Sequence, residues 1–519
     1  MDENVLFNPN SQDAQAATPA TGDPAAQTPQ EGDPSPDGTP VDPNAVPTEG
    51  DTGIVADEST GTLATDGTEA GYEEPPPPVG FFSGGLVKKI LIGVGILTLL
   101  IIIITVVINL SKGQQAKVVT LEWWGLWEDS NTMQPLILDF EKAHPNIKVK
   151  YDPKDPKQYA DQLATRIKNG TGPDIFRYHN SWGTMLGSNV APLTSNVISA
   201  DDFKKAYYPV MQQDLTYKGA IYGIPMEADT IELFVNPQLF DAAGQQVPTS
   251  WDQFNEAAKS LTVKDENGAI KKSGAALGTY DNIMHAPDII SLLMAQQGVT
   301  ISTIADYPKN EAGALAYYGS FAHGDNAVWN NNLDNSLLAF SKGNLAMYFG
   351  YSWDIFAIQR LNSNLQFKVY PVPSNQGVKT TIASYWVEGV SSKSTHLPEA
   401  MEFMHYLAQK DTAQKLYTET AKVRPFGELY ARKDLQSSLS DNALVYPFVQ
   451  GLDNATSTFF SSDTHDGDTG FNTMMNSYLK TAVNAMTDDP NSATSLVEDL
   501  NNGIKQVFQK YASATTTSQ

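Results

Sequence analysis

Aromatic and ionisable side chains directly follow two predicted β-strands, and their types suit non-covalent ligand binding. Trp127 and Glu128 follow the apolar run VVTLEWW, and His179 and Trp182 follow the run DIFRY. Parallel sheets bind ligands at the carboxyl ends of their strands, so these side chains are candidates for one shared site. A ring face can cover an apolar ligand surface while carboxylate and imidazole groups hydrogen-bond the polar groups of the ligand. The residue types therefore predict a binding site at this edge of the sheet.

Catalytic and metal-binding chemistry has little support in the sequence. There is no cysteine, which rules out disulfides, Cys-ligated metals and thiol catalysis, and no G-x-S-x-G nucleophile motif occurs. His179 has no second histidine at strand or helical spacing. Asp463, Asp466 and Asp468 resemble a calcium loop but lack its ligand spacing, so a solvated loop is predicted there. We expect no metal, no cofactor and no enzymatic activity.

The predicted strands belong to an alternating α/β pattern. Apolar runs at 118–124, 147–151 and 174–178 have the length and composition of strands. The segments between them carry apolar residues at helical spacing, namely Met133, Leu136, Ile137 and Phe140, then Tyr159, Leu163 and Ile167. This order of strands and helices predicts a parallel sheet flanked by helices.

The N-terminal segment is acidic and unlike the rest of the chain. The 519 residues carry a formal charge of −25, and residues 1–85 contain 16 acidic and no basic side chains. Their richness in proline and their small number of large apolar residues predict a disordered tail over 1–85. Because phosphate binding needs a basic face, we expect no nucleic-acid partner.

A membrane span is predicted after this tail, over 86–111. Residues 90–110 carry no charge, and as a helix they would extend roughly 31 Å, which matches a hydrocarbon core of about 30 Å. Lys88 and Lys89 precede the run, so the positive-inside rule favours a cytoplasmic N-terminus and an extracellular C-terminal part.

The soluble part, 117–514, resembles the extracellular solute-binding proteins of ABC importers, in their carbohydrate-binding, maltose-binding-protein-like group. The resemblance is carried by short segments in a fixed order: 123–125 (WWG), 140–149 (FEKAHPNIKV), 172–176 (GPDIF), 217–225 (YKGAIYGIP), 234–240 (FVNPQLF), 248–251 (PTSW), 340–347 (FSKGNLAM) and 398–400 (PEA). It implies a two-lobed, type II periplasmic-binding-protein-like fold with a ligand cleft between the lobes. The first lobe would be 117–226 plus 372–426, and the second 228–371 plus 427–514.

The resemblance also implies further ligand-binding residues near the chain crossovers and strand ends. Glu227 matches a position whose carboxylate contacts sugar in the family, and Trp353 matches a stacking tryptophan. The other candidates share only their place at a crossover or strand end: Asp229, Tyr385, Trp386 and Arg424. Each tryptophan has the alternative of a place in the core, which we expect for Trp251.

The function implied is that of a membrane-tethered protein that captures a sugar or oligosaccharide and delivers it to the transmembrane subunits of an ABC permease. The lipid-anchored members of the family have a cysteine that this chain lacks, so residues 90–110 would hold it to the bilayer instead. A sensory receptor ectodomain and a surface glycosidase that uses Glu128 and Glu227 are the alternatives. The apparent lack of a basic cluster near the cleft disfavours a phosphate ligand.

Overall fold

The computed structural model describes residues 84–111, 117–300, 303–324, 327–488 and 492–516. The predicted disordered tail lies outside these residues, apart from its last two positions. The chain divides into two units, of which one contains helix α1 (Gly84–Ser111) and the other contains everything from residue 117 onward.

Helix α1 covers the predicted membrane span. Its described side chains are those of residue 85 and of residues 88–103, and the large apolar ones among them are exposed. Among the described residues, no helix has both the length and the apolar character that crossing a membrane requires. The predicted span therefore stays a prediction.

The unit from residue 117 onward begins with the predicted alternation of strands and helices. Its first elements are β1 (Val119–Gly125), α2 (Ser130–Ala143), β2 (Ile147–Pro153), α3 (Pro156–Lys168) and β3 (Ile175–His179). Strands β2 and β3 both pair with β1 in parallel. Asp129 caps α2 by accepting a hydrogen bond from Thr132 N at 2.8 Å, which places the turn after β1 at the helix N-terminus.

The remaining elements complete two sheets and their surrounding helices. The helices are α4 (Gly183–Leu186), α5 (Ala200–Ala206), α6 (Pro209–Leu215), α7 (Pro237–Ala243), α8 (Trp251–Ser260), α9 (Ala286–Ala295), α10 (Pro308–Gly319), α11 (Ser336–Ser341), α12 (Asp354–Leu361), α13 (Leu397–Leu407), α14 (Lys410–Thr420), α15 (Tyr446–Gly451), α16 (Phe471–Asp488) and α17 (Ala493–Thr516). The strands are β4 (Thr216–Tyr217), β5 (Ala220–Ile221), β6 (Ile224–Pro225), β7 (Asp229–Thr230), β8 (Glu232–Val235), β9 (Val263–Lys264), β10 (Ile270–Ala275), β11 (Leu345–Gly350), β12 (Lys368–Tyr370), β13 (Thr381–Ser384), β14 (Trp386–Val390) and β15 (Ala455–Thr456).

Two five-stranded sheets build two lobes, each with its own apolar core. The first sheet has the order β2-β1-β3-β14-β6 and the second the order β12-β8-β11-β10-β9. The buried apolar residues fall into two clusters, one around each sheet. Trp251 belongs to the second core, where its indole Nε1 donates to Gln296 Oε1 at 2.8 Å, so the expectation of a core position is confirmed.

A small third sheet joins the lobes. Its strand β13 pairs with β7 in antiparallel and with β15 in parallel orientation. The chain enters the second lobe through β7 and returns to the first through β13. A third connection runs beside β7, because Ala228 N donates to Leu429 O at 3.0 Å. Three adjacent strands of chain therefore connect the lobes, and the cleft between the lobes opens next to them.

Candidate functional site

A cavity of about 580 Å³ lies between the two lobes, next to the connecting strands. Its volume is in the range of small-molecule binding sites, about 300–1,000 Å³. Seven of the residues predicted from the sequence line it: Trp127, Glu128, Glu227, Asp229, Trp353, Trp386 and Arg424. The cavity therefore contains both aromatic surfaces and carboxyl groups from each side of the cleft.

A buried arginine organises the wall formed by the first lobe. Arg177 forms ion pairs with Glu128 and, at 2.7 Å between Nε and Oε1, with Glu388, and its Nη1 also donates to Leu126 O at 2.9 Å. Burial alone would raise the pKa of Glu128, but the Arg177 guanidinium, together with Glu428 and Arg424, outweighs burial and holds that pKa below its usual value. Arg177 therefore fixes the turn after β1 and keeps Glu128 ionised.

Trp127 projects from this turn into the cleft mouth. Its side chain is 49% exposed, and its ring lies 5.6 Å from that of Trp386 and 5.3 Å from that of His465 of the second lobe. Its φ of 75° is a left-handed conformation that non-glycine residues rarely adopt. Such strain is stored most often at ligand-contacting positions, which suits a residue held open for a ligand.

The wall formed by the second lobe is the turn between β11 and α12. Trp353 is half-buried and stacks on Tyr351, with ring centroids 4.3 Å apart and planes 12° from parallel. One face of its indole is thus covered by protein, while the residue lines the cavity. Ser352 N of the same turn donates to Asp229 Oδ2 at 2.8 Å, which joins the turn to the first crossover.

Two carboxyl groups at the crossover have no cationic partner among the described ion pairs. Glu227 accepts a hydrogen bond from Trp386 N at 2.9 Å, and Asp229 accepts from Thr230 N and Ser352 N. Burial raises the pKa of Glu227 to about 8 and that of Asp229 to about 8. At neutral pH both groups can therefore carry a proton and act as hydrogen-bond donors as well as acceptors.

Three predicted site residues do not line the cavity. His179 is buried between Ser181 Oγ, at 2.6 Å from Nδ1, and Ser384 Oγ, at 3.0 Å from Nε2, and burial lowers its pKa to about 3. Trp182 is fully buried behind Trp386, 5.5 Å between ring centroids. The hydroxyl of Tyr385 donates to Asp214 Oδ2 at 2.6 Å, on the opposite side of β14 from the cleft. These residues support the cleft wall and the connecting strands from behind.

The cavity also contains residues that the sequence did not point to, including two further arginines. The principal ones are Arg177, Asp354, Phe356, Arg360, Phe426, Glu428, Asp463 and His465. Arg177, Arg360 and Arg424 all line the cavity, whereas the sequence predicted no basic cluster near the cleft. A charged residue inside the otherwise apolar run DIFRY was a signal for Arg177, since a buried charge needs partners. Arg360 and His465 had no comparable signal.

One aspartate of the loop before α16, Asp466, holds the start of that helix. Asp466 is buried and accepts from Thr473 Oγ1 at 2.7 Å and from the backbone N–H groups of Asn472 and Thr473 at the start of α16. Among the described residues, no group of His, Cys, Asp or Glu side chains is arranged to hold a metal ion.

Comparison with known proteins places the chain in a family. Residues 124–414, more than half of the chain, match the family of bacterial extracellular solute-binding proteins. The chain belongs to this family. The match includes parts of both lobes and the first two connections between them, β7 and β13.

Individual relatives of this solute-binding protein are distant. The multiple sugar-binding protein of Streptococcus mutans is 24% identical over 330 residues, which cover 60% of this chain and 76% of the relative. A cyclo/maltodextrin-binding protein solved with maltotetraose has a TM-score of 0.61 at 17% identity, covering 75% of this chain and 96% of its own. The cyclic α-maltosyl-1,6-maltose binding protein of Arthrobacter globiformis has the same TM-score at 15% identity, covering 75% and 99%. At these identities the solved structures show a shared fold.

Proposed function

We propose that this protein binds a neutral sugar or oligosaccharide in the interlobe cavity and delivers it to an ABC importer. The observation that carries the proposal is the pairing of aromatic surfaces with carboxyl groups in one cavity. Trp127 and Trp386 lie on one side and Trp353 on the other, with Glu227 and Asp229 between them. Aromatic faces cover the apolar side of a pyranose ring, and carboxyl groups bind its hydroxyls.

The charge distribution supports a neutral ligand. Arg177 is already paired with two carboxylates, and Arg424 forms an ion pair with Glu428. An anionic ligand would compete with these carboxylates for two of the three guanidinium groups that line the cavity, Arg360 being the third. The solved relatives whose names specify maltodextrins point to the same ligand class.

Delivery would follow from movement of the lobes about their connections. We place the first lobe at 117–226 plus 372–426 and the second at 228–371 plus 427–514. The lobes would close on the ligand by bending at β7, β13 and the connection near Leu429, as in other hinge-closing proteins. The closed form would be the one that permease subunits bind.

The tether is the second part of the proposal. The run 90–110 has no charged residue and forms most of the 28-residue helix α1. It would hold the protein in a membrane as a single-pass anchor, with the acidic tail cytoplasmic and the lobes outside. The absence of cysteine from the chain supports a helix as the anchor in place of a lipid.

A thermal-shift screen of the fragment 117–519 tests the ligand class, because tight ligands raise Tm by mass action. The probes are glucose, maltose, maltotetraose and raffinose, with glucuronate and glucose 6-phosphate as charged counterparts. We expect a rise with at least one neutral sugar and none with the charged ones. Turnover of a sugar without a stable complex, or a rise with charged sugars alone, would contradict the proposal.

A further inference from the structure

A buried histidine outside the cavity joins the two segments that form the second lobe's side of the cleft. His285 precedes α9, is fully buried and is not part of the cavity lining. Its Nε2 lies 2.8 Å from Asp354 Oδ2, and its Nδ1 lies 2.8 Å from Ser462 Oγ. Both ring nitrogens are therefore engaged, each by a different segment.

The first segment is the turn that presents Trp353. Besides His285, Asp354 Oδ2 accepts from Tyr348 Oη at 2.8 Å and from Tyr351 N at 3.1 Å. Tyr351 supports the indole of Trp353 by stacking on it. At Gly350 a Cβ atom would lie 2.3 Å from Asp354 Oδ2, so the turn has no room for a side chain there. The hydrogen bonds of Asp354 thus hold the turn that carries Trp353 in place.

The second segment is the loop 461–466. Ser462 contacts His285 through its hydroxyl, and its backbone N donates to Asp288 Oδ2 at 3.0 Å. Asp463 and His465 have left-handed φ values of 55° and 51°, and both line the cavity. Residues in this conformation need support from their surroundings. His465 also contacts Trp127 across the cleft.

We infer that His285 is a positioning residue for ligand binding, which as an imidazolium fixes the Trp353 turn and the 461–466 loop in the arrangement that binds the ligand. The inference rests on the proposed carbohydrate-binding function. A neutral imidazole has one N–H, so it could donate to only one of the two segments. With that N–H on Nε2, the contact to the loop would require the Ser462 hydroxyl to donate to Nδ1, and the charge attraction between the ring and Asp354 would be lost.

The surroundings of His285 favour the charged form. Burial would lower its pKa, but the carboxylates of Asp354, Asp463 and Asp288 together outweigh burial and raise the pKa to about 9. The ionisable and polar groups that face it are Asp354 of α12, Tyr348 of β11, Tyr351 of the turn, Asp288 of α9, and Ser462 and Asp463 of the loop. No cation is among these groups.

The test compares His285→Gln with the wild-type full chain, using the neutral sugar that gives the largest thermal shift. Glutamine can donate to one segment but cannot carry the charge. We therefore expect the affinity for the sugar to fall by about tenfold or more at pH 7, because a binding site loosens when its supporting contacts are lost. The affinity of the wild type should itself fall as the pH rises above 9, when His285 loses its proton. The affinity of the variant should show no such fall. Tyr318→Phe is the control, since it removes a buried hydrogen bond of the same lobe, from Tyr318 Oη to Thr279 O at 2.6 Å, away from the cavity.

Two additional measurements keep the inference testable. If His285→Gln fails to fold, Ser462→Ala removes only the loop contact and should still weaken binding. If no sugar binds, the proposed function fails, and the fluorescence of Trp353 then decides about His285. Subtracting the emission of Trp353→Phe from that of the wild type isolates the emission of Trp353. This emission should change with pH, with a midpoint near pH 9. In proteins that also carry His285→Gln, the same subtraction should give an emission that does not change near pH 9. Unchanged affinity in His285→Gln, or a pH-independent Trp353 emission in the wild type, would overturn the inference.

Discussion

At the scale of single residues, the cleft combines side chains whose exposure and pKa values depart from the ordinary. Trp127 is half-exposed in a left-handed conformation, and Trp353 is half-buried and stacked on Tyr351. Glu227 and Asp229 are buried and belong to none of the ion pairs among the described residues, whereas Glu128 pairs with Arg177. Groups in such conformations and environments lower the stability of the folded protein, and they are typical of sites that contact a ligand.

Substitution of Trp353 by alanine is the sharpest test of a single side chain. We expect the ligand-induced rise in Tm to disappear, because the stacking surface is lost. The unliganded Tm should change little, since the lost contact with Tyr351 is worth about 1 kcal/mol. Thermal shift with and without the sugar measures both effects.

Trp251→Phe is the matched control for this substitution, because Trp251 belongs to the core of the same lobe. It should lower the unliganded Tm and keep the ligand-induced rise. A large fall in the unliganded Tm of Trp353→Ala would instead identify Trp353 as a core residue.

At the scale of elements, a buried polar network connects α6 and the residue before β14 in the first lobe with the segment after β15. Asp214 of α6 accepts from Ser457 Oγ at 2.6 Å, Tyr385 Oη at 2.6 Å and Asn180 Nδ2 at 3.2 Å. Ser181 Oγ donates to Asn472 Oδ1 of α16 at 2.9 Å. The network lies behind the cleft, where the lobes meet close to their connecting strands.

Asp214 should make stability depend on pH. Burial raises its folded-state pKa from 3.8 to about 6, in spite of its three donors. The folded state therefore holds this proton more tightly than the unfolded state, so the free energy of unfolding should fall as pH rises from about 4 to 6 and then level off. The contribution is about 3 kcal/mol at most, from 1.36 kcal/mol per pKa unit.

Asp214→Asn should remove this part of the pH dependence. Urea denaturation at pH 4, 5, 6 and 7 measures the free energy of unfolding. Between pH 4 and 6 this free energy should fall less in Asp214→Asn than in the wild type. Asp241→Asn, at an exposed position of α7, should leave the pH profile unchanged. Parallel wild-type and Asp214→Asn profiles would refute this role of Asp214.

At the scale of the whole molecule, the charge is unevenly distributed. Of the formal charge of −25, residues 1–85 contribute −16 and the part from 117 onward −12, with three lysines between them. The ligand cleft belongs to the second of these parts. The tail therefore contributes most of the charge without belonging to the proposed binding site.

Deletion of 90–110 tests the proposed tether. We expect the full chain to sediment with lipid vesicles and to resist extraction at high pH, because a charge-free 21-residue helix favours the hydrocarbon core. The deletion variant should stay in the supernatant, whereas a variant without residues 13–80 should still sediment. Recovery of the full chain in the supernatant would contradict the tether.

The sequence by itself determined the local order of the fold and the family. Apolar runs and helical spacings predicted β1 to β3 with α2 and α3, because the residues that form these elements are neighbours in the chain. The family segments lie at turns and strand ends whose conformation is also local. The charge-free run 90–110 was equally evident, since it depends on composition alone.

Only the tertiary structure decided which of the candidate side chains face the cleft. Tyr385 lies between β13 and β14, and Trp386 is the first residue of β14. Although the two residues are adjacent, Trp386 lines the cavity, whereas Tyr385 donates to Asp214 behind it. Arg177 and His465 come from positions nearly 290 residues apart and enter the same cavity because the lobes pack together. Contacts between segments so distant leave no pattern in a single sequence, and they are what turns a set of strand ends into a binding site.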